Sequence, residues 1–280
     1  MWYIEVKGVP FHIAAKFPGA VVRNNRVFVP REPPAKVDGL PDFLHFYQKE
    51  AIRKSLGPRN FAFFMPVGSG KTLTAIYACK VWKPEGNMIV ICPKALIPQW
   101  EETVRIYAPE YELEVFTYEW MAKNYEEIVN EYLGRSPVII FDEASKLKNP
   151  ETKRYAAAKE ILKVAARAFF LTATPIENSL ADAHALMSLA APGVMSRSTF
   201  FSVYCITDWF GNIRKYREGA VERFMYRYSP YMYVMKEEEV NVDSRPELDI
   251  VYHTVPLTKE ILSVGNICLL YTSPSPRDRG

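Results

Sequence analysis

The sequence predicts an α/β fold, with a mostly parallel sheet lying between helices and a small β unit in front of it. Two observations carry this. Short apolar runs ("FAFFMPV", "NMIVICP", "LEVFTYE", "PVIIFDE", "AFFLTATP") alternate with stretches of helical pattern at 71–82, 95–107, 120–133 and 151–165. Buried strands joined by crossover helices give a parallel sheet covered on both faces. The second observation is a glycine-rich turn, "PVGSGKT", placed where the first of those strands gives way to a helix.

Taken in order, residues 1–38 read as a small antiparallel unit. In "AVVRNNRVFVP" two valine-rich runs flank Asn24-Asn25, and asparagine tolerates the positive φ of a tight hairpin turn. The proline-rich "PREPPAKVDGLP" then breaks regular structure and reads as a linker. "FLHFYQKEAIRKSL" has helical spacing that lets Phe43, Phe46, Tyr47 and Ile52 share a face. The alternating strand and helix pattern follows. Residues 197–236 differ in kind, with eleven aromatics and seven Lys/Arg against three acids, and read as a helical aromatic and basic segment. The run "CLLYTSPSPRDRG" has no apolar periodicity, and 267–280 read either as a non-native tail of translated adapter sequence or as a natural disordered one.

Composition excludes several function classes. Hydrophobic residues make up 49% and charged residues 24% of the 280, enough to bury a real core. A net charge of +3 confines any nucleic-acid surface to a local patch. Cys79, Cys92, Cys205 and Cys268 form no C-x-x-C pair, and His12, His184 and His253 are isolated, so neither zinc nor a disulfide frame is expected. No apolar run reaches the roughly eighteen residues of a membrane helix, and "MWYIEVKGVP" lacks the pattern of a signal peptide. These features predict a protein that is not secreted and that resides in the cytoplasm of a bacterial or virus-infected cell or, in a eukaryote, in the nucleus.

Gly68, Ser69, Gly70, Lys71 and Thr72 form most of a phosphate-binding loop, with Met65 where the pattern G-x-x-x-x-G-K-[ST] has its first glycine. Glycines let backbone N–H groups approach phosphates, and the following helix N-terminus adds partial positive charge. Lys71 can reach the β and γ phosphates, and the Thr72 hydroxyl can ligate Mg²⁺. In "PVIIFDEASKLKN", Asp142 and Glu143 end an apolar strand, where ligand sites of parallel sheets lie. Asp142 can hold the metal bridging the phosphates, and Glu143 can orient and deprotonate an attacking water. The pairing of these two elements, more than either alone, points to an ATP–Mg²⁺ site.

Residues 42–260 resemble the first, RecA-like ATPase lobe of Swi/Snf-type DNA translocases of helicase superfamily two, motif by motif and in order. "HFYQKEAI" is similar to the adenine-reading segment, with Gln48 in the glutamine position. "MPVGSGKTLTAI" resembles motif I, whose family form also carries a methionine near its start. "VICPKALIPQWEETV" and "FTYEW" resemble motif Ia and the short motif after it, and "FDEASKLKNPETKRYAA" resembles motif II. "LTATPIENSLADAHALMSLAAPG" resembles motif III with the Pro-Ile-x-Asn extension of this family, and "SPYMYVMKEEEV" resembles the segment leading out of the lobe. Three departures stand out: Ser145 replaces the usual histidine of the Asp-Glu-x-His box, His45 replaces an arginine, and motifs IV to VI have no counterpart.

The resemblance implies an ATP-binding lobe over 39–250 and the start of a second RecA-like lobe at 251–266. It implies a DNA-dependent ATPase that translocates on or remodels duplex DNA, gripping the backbone without reading sequence. A lobe without its arginine-finger partner is expected to turn over little ATP. A strand-separating helicase or restriction-enzyme motor is the rival within the superfamily, and a non-catalytic nucleotide-dependent scaffold the rival outside it. Lys94 resembles a DNA-backbone contact or is a solvated surface lysine. Thr172 and Thr174 couple nucleotide state to lobe movement or simply cap a helix. The aromatic and basic stretch is a strand-binding groove or a helical core.

Overall fold

The computed structural model describes residues 2–6, 21–23, 26–31, 39–82, 86–173, 179–210 and 212–235, all within one unit, Met1–Asn241. The expected Asn24-Asn25 turn, Thr174 with the Pro-Ile-x-Asn run, the second-lobe start at 251–266 and the tail at 267–280 lie outside these residues.

Strands β1 (Trp2–Val6), β2 (Val21–Arg23) and β3 (Arg26–Arg31) form a three-stranded sheet in the order β1-β3-β2, antiparallel throughout. Arg23 pairs with Arg26, so two residues connect β2 to β3.

The main sheet contains β4 (Asn60–Phe64), β5 (Gly86–Cys92), β6 (Tyr111–Thr117), β7 (Val138–Asp142), β8 (Arg167–Thr172) and β11 (Met232–Val234). Its order is β11-β4-β8-β7-β5-β6, and every neighbouring pair is parallel. The continuous apolar runs follow from burial on both faces. Alternate residues of each strand enter different cores: Ala62, Phe64, Ile139, Phe141 and Phe170 lie in one, and Phe61, Phe63, Val138, Ile140 and Phe169 in the other. Helices α1 (Phe46–Ser55), α2 (Lys71–Trp82) and α3 (Ile97–Tyr107) feed the second core through Ile52, Ala75 and Trp100. Helices α4 (Tyr118–Tyr132), α5 (Lys153–Ile161) and α6 (Leu180–Ala190) feed the first through Tyr118, Ile161 and Leu186.

Capping chemistry sets several helix starts. The Thr117 hydroxyl accepts the N–H of Trp120 at 3.1 Å, so α4 opens two residues before the periodicity places it. Thr152 accepts from Tyr155 at 3.3 Å and starts α5 at Lys153. The other end of α1 is fixed by a cation. Arg167, buried at the start of β8, donates to the carbonyls of Ser55 (2.9 Å) and Leu56 (3.0 Å), and its guanidinium lies 4.9 Å over the Trp82 ring.

Two expectations are corrected. Phe43 and Phe46 do not share the buried face of α1: Phe43 precedes the helix and is 55% exposed, and Phe46 is 72% exposed, whereas Tyr47 and Ile52 are buried. The segment 197–236 is not helical throughout: α7 (Arg197–Tyr204) leads into a hairpin of β9 (Cys205–Thr207) and β10 (Ile213–Tyr216), followed by α8 (Ala220–Tyr228) and β11. A turn held by the Asp208 carboxylate, which accepts the N–H groups of Phe210 and Asn212, overrides the helical spacing. Among the described residues no helix is long and apolar enough to cross a membrane.

Candidate functional site

Because the sheet is parallel, the carboxyl ends of its strands share one edge, and sequence-predicted residues leave from that edge. The phosphate loop follows β4, Lys94 follows β5, Asp142 and Glu143 close β7, and Thr172 closes β8. Strand β8 lies between β4 and β7; Phe64 pairs with Thr172, and Leu171 with Asp142. Met65 extends this ladder by donating its N–H to the Thr172 carbonyl at 3.1 Å. Buried Thr172 therefore sits between the glycine loop and the acid pair, while Thr174 is outside the described residues.

The loop conformation needs its glycines for two reasons. Gly68 has φ 80° with nothing near its missing Cβ, so only the backbone angle demands glycine there. Gly70 has φ 75°, and a Cβ would lie 2.4 Å from Gln48 Nε2. Gln48 packs on this spot: Nε2 donates to the carbonyls of Ser69 (3.4 Å) and Gly70 (3.2 Å), and Oε1 accepts the His45 N–H at 2.8 Å. Ser69, buried, donates its hydroxyl to Pro66 at 2.6 Å. Lys71 opens α2, and its Nζ donates to the carbonyls of Met65 and Pro66, both at 3.1 Å. Two of the three ammonium donors are thus used in holding the amine over its own loop. Thr72 follows in the first turn of α2.

Opposite the loop, both Asp142 oxygens accept a hydrogen bond. Oδ2 takes the indole N–H of buried Trp100 at 2.8 Å, and Oδ1 takes the Glu143 N–H at 2.9 Å. The Asp142 carbonyl accepts the hydroxyl of buried Tyr118 at 2.8 Å. Glu143 has φ 53° and ψ 51°, a left-handed conformation that costs a non-glycine residue about 1–2 kcal/mol and turns the chain sharply into the 3₁₀ turn Ala144–Leu147, which holds Ser145.

The electrostatics couple the two halves. Burial pushes the Lys71 amine below the ordinary lysine value, and the nearby carboxylates of Glu143 and Asp142 pull it back up. Burial pushes Asp142 above the ordinary carboxylate range, opposed by the Trp100 hydrogen bond, the Glu143 N–H and the Lys71 charge. Burial also raises the Cys92 thiol, at the end of β5, to about 12, which leaves it unreactive as a nucleophile.

The structure thus brings Gln48, the loop 68–72, Asp142, Glu143 and Thr172 to one edge. It leaves Lys94 exposed, opening the 3₁₀ turn Lys94–Leu96 on the same edge. Among the described residues no group of three or more His, Cys, Asp or Glu could hold a metal ion. The donor set is one carboxylate with spare lone pairs and one hydroxyl, which suits Mg²⁺ held mostly by water and phosphate. Sequence reasoning missed Trp100 and Tyr118. The usable signal was that a tryptophan or tyrosine buried at the carboxyl edge needs a partner for its polar hydrogen.

Comparison with known proteins agrees with this geometry. The SNF2-related domain matches residues 110–260, and the type III restriction enzyme res subunit matches residues 43–133. Nucleoside triphosphatase I of Heliothis armigera entomopoxvirus is 26% identical over 253 residues, covering 80% of this chain and 38% of its own. The uncharacterized ATP-dependent helicase YqhH of Bacillus subtilis is 29% identical over 181 residues, covering 58% of this chain and 32% of its own. The Sulfolobus solfataricus SWI2/SNF2 ATPase core, solved in complex with double-stranded DNA, superposes with a TM-score of 0.55 at 25% identity, covering 73% of this chain and 46% of that one. The chain spans between a third and a half of the length of these relatives. Fold, motif order and the match over more than half its residues agree: the chain belongs to the SNF2-related family, whose ATPase lobe is an α/β RecA-like domain.

Proposed function

We propose that this chain is the ATP-binding lobe of a DNA-dependent ATPase that moves along or remodels duplex DNA. One observation carries the reading: the Lys71 amine, fixed on the glycine loop, lies within electrostatic reach of both Asp142 and Glu143 at the carboxyl edge of a parallel sheet. In this reading the N–H groups of residues 68–72 and the start of α2 receive the phosphates, and Lys71 moves from its two carbonyls onto the β and γ oxygens. Gln48 braces the loop and turns its remaining capacity toward adenine. Thr72 and Asp142 would hold Mg²⁺, which when bound neutralises charge on the phosphoryl oxygens. Glu143 orients and deprotonates the attacking water.

A second RecA-like lobe closes over the nucleotide and supplies an arginine finger. The archaeal relative, a core in complex with double-stranded DNA, supports duplex DNA as partner, and exposed Lys94 on the same edge is a candidate backbone contact. Binding would be salt-sensitive and nearly sequence-independent. A strand-separating motor is the second reading, favoured by the restriction-enzyme match over 43–133; displacement of a labelled strand from a duplex distinguishes it. A non-catalytic nucleotide-dependent scaffold would need Lys71 and Asp142 for binding but has no use for Glu143 as a base.

The test of the chemistry is Glu143→Gln in the protein with its second lobe. Affinity for a fluorescent ATP analogue should persist, since Asp142 and Lys71 remain, while phosphate release falls by roughly 10²–10⁴-fold. Unchanged phosphate release would show that another group activates the water.

A further inference from the structure

We propose that the β9–β10 hairpin is a stacking element for unpaired bases of a nucleic-acid strand. The aromatic and basic stretch divides cleanly in the structure. Phe200, Tyr204, Phe224 and Tyr228 are buried, and their rings pack against one another as core. Trp209 and Phe210, at the hairpin tip, are 97% and 87% exposed. Leaving two large adjacent rings in water forgoes the gain of burying them, and contiguous exposed apolar surface of this kind marks an interaction site.

The tip is a built turn. Asp208 Oδ1 accepts the N–H groups of Phe210 and Asn212, both at 2.9 Å, and Oδ2 accepts the Asn212 side-chain amide at 3.3 Å. The Asp208 N–H donates to the Asn212 carbonyl at 2.9 Å. The root is tied to the lobe, because the Tyr216 hydroxyl accepts the Ala181 N–H at 3.2 Å at the start of α6. Arg217 donates its N–H to the Tyr204 carbonyl at 2.8 Å. The rings are therefore presented by a braced arm that springs from beside the start of α6.

Charge selects the occupant. Arg214, Lys215 and Arg217 are exposed along the arm, while Asp208 is engaged in the turn and Glu218 and Glu222, exposed, follow the root of the arm. An apolar protein pocket would use the rings and waste the cations. A strand with splayed bases uses both, since its bases stack on the rings and its phosphates meet the arginines and lysine. Duplex DNA hides its base faces and gains nothing from Trp209 and Phe210.

This inference rests on the reading that the chain acts on DNA, and the test separates the two. Fluorescence anisotropy of labelled oligo(dT) and of a blunt duplex of equal length compares the chain with the double variant Trp209→Ala, Phe210→Ala. The variant should bind oligo(dT) roughly tenfold or more weakly and the duplex within twofold of the parent, with an unchanged salt slope. Its melting temperature should match the parent's, as both side chains are exposed. If the parent binds the duplex and the variant loses nothing on oligo(dT), the inference fails and a protein pocket becomes the better occupant. Equal losses on both DNAs, or no oligo(dT) binding by the parent, also overturn it. Failure of the parent to bind either DNA overturns the DNA reading itself.

Discussion

Asp142 shows what a functional carboxylate needs from its neighbours. Burial raises the cost of its charge, and two donors, the Trp100 indole and the Glu143 N–H, repay part of it while fixing the orientation of the group. Trp100→Phe removes one donor and leaves Oδ2 to water or strain. We expect a loss of about 1–3 kcal/mol in stability and a several-fold rise in the Mg²⁺ concentration needed for half-maximal nucleotide binding. A Mg²⁺ titration of analogue binding reads this directly; identical midpoints would show that Trp100 is only packing. Lys71 and the acid pair were legible in the sequence because spacing and chain context carry their chemistry. The Trp100 contact was not, because its partner lies 42 residues away and no local pattern links an indole to a carboxylate.

At the scale of elements, the glycine loop depends on α1, and α1 depends on a residue at the amino end of β8, more than a hundred positions away in the chain. Arg167 satisfies the carbonyls of Ser55 and Leu56 at the helix end, and Gln48 on the same helix props Ser69 and Gly70. Arg167→Leu leaves those carbonyls unpaired in a buried setting, so the melting free energy should drop by about 2–3 kcal/mol, and nucleotide affinity should weaken through the loop. A urea titration with the parent's midpoint would contradict this chain of support. Helix α2 matches its sequence expectation because the lysine of the motif starts it; its buried residues run consecutively from Thr74 to Cys79 instead of forming one stripe, so its place after the glycine loop made it legible. The β9–β10 hairpin and β11 were not legible. Their strands are three or four residues long, and the tyrosine and methionine content there fits a helix as well as an edge strand paired to β4.

For the molecule as a whole, an all-parallel sheet gathers the site. Four of the five apolar runs became buried strands and the fifth became the half-buried edge strand β6, with alternate residues filling two cores, so the fold class was readable from the runs. Parallel direction then brings the ends of β4, β7 and β8 to one edge, which turns separate motifs into one arrangement. The account's central claim is that this edge binds ATP–Mg²⁺ through Lys71. Equilibrium titration of a fluorescent ATP analogue into the chain and into Lys71→Ala, in excess Mg²⁺, tests it most directly. Saturable binding by the parent, weakened roughly tenfold to a hundredfold by the substitution with little change in melting temperature, is the result predicted. Equal affinity in the two proteins would contradict the claim.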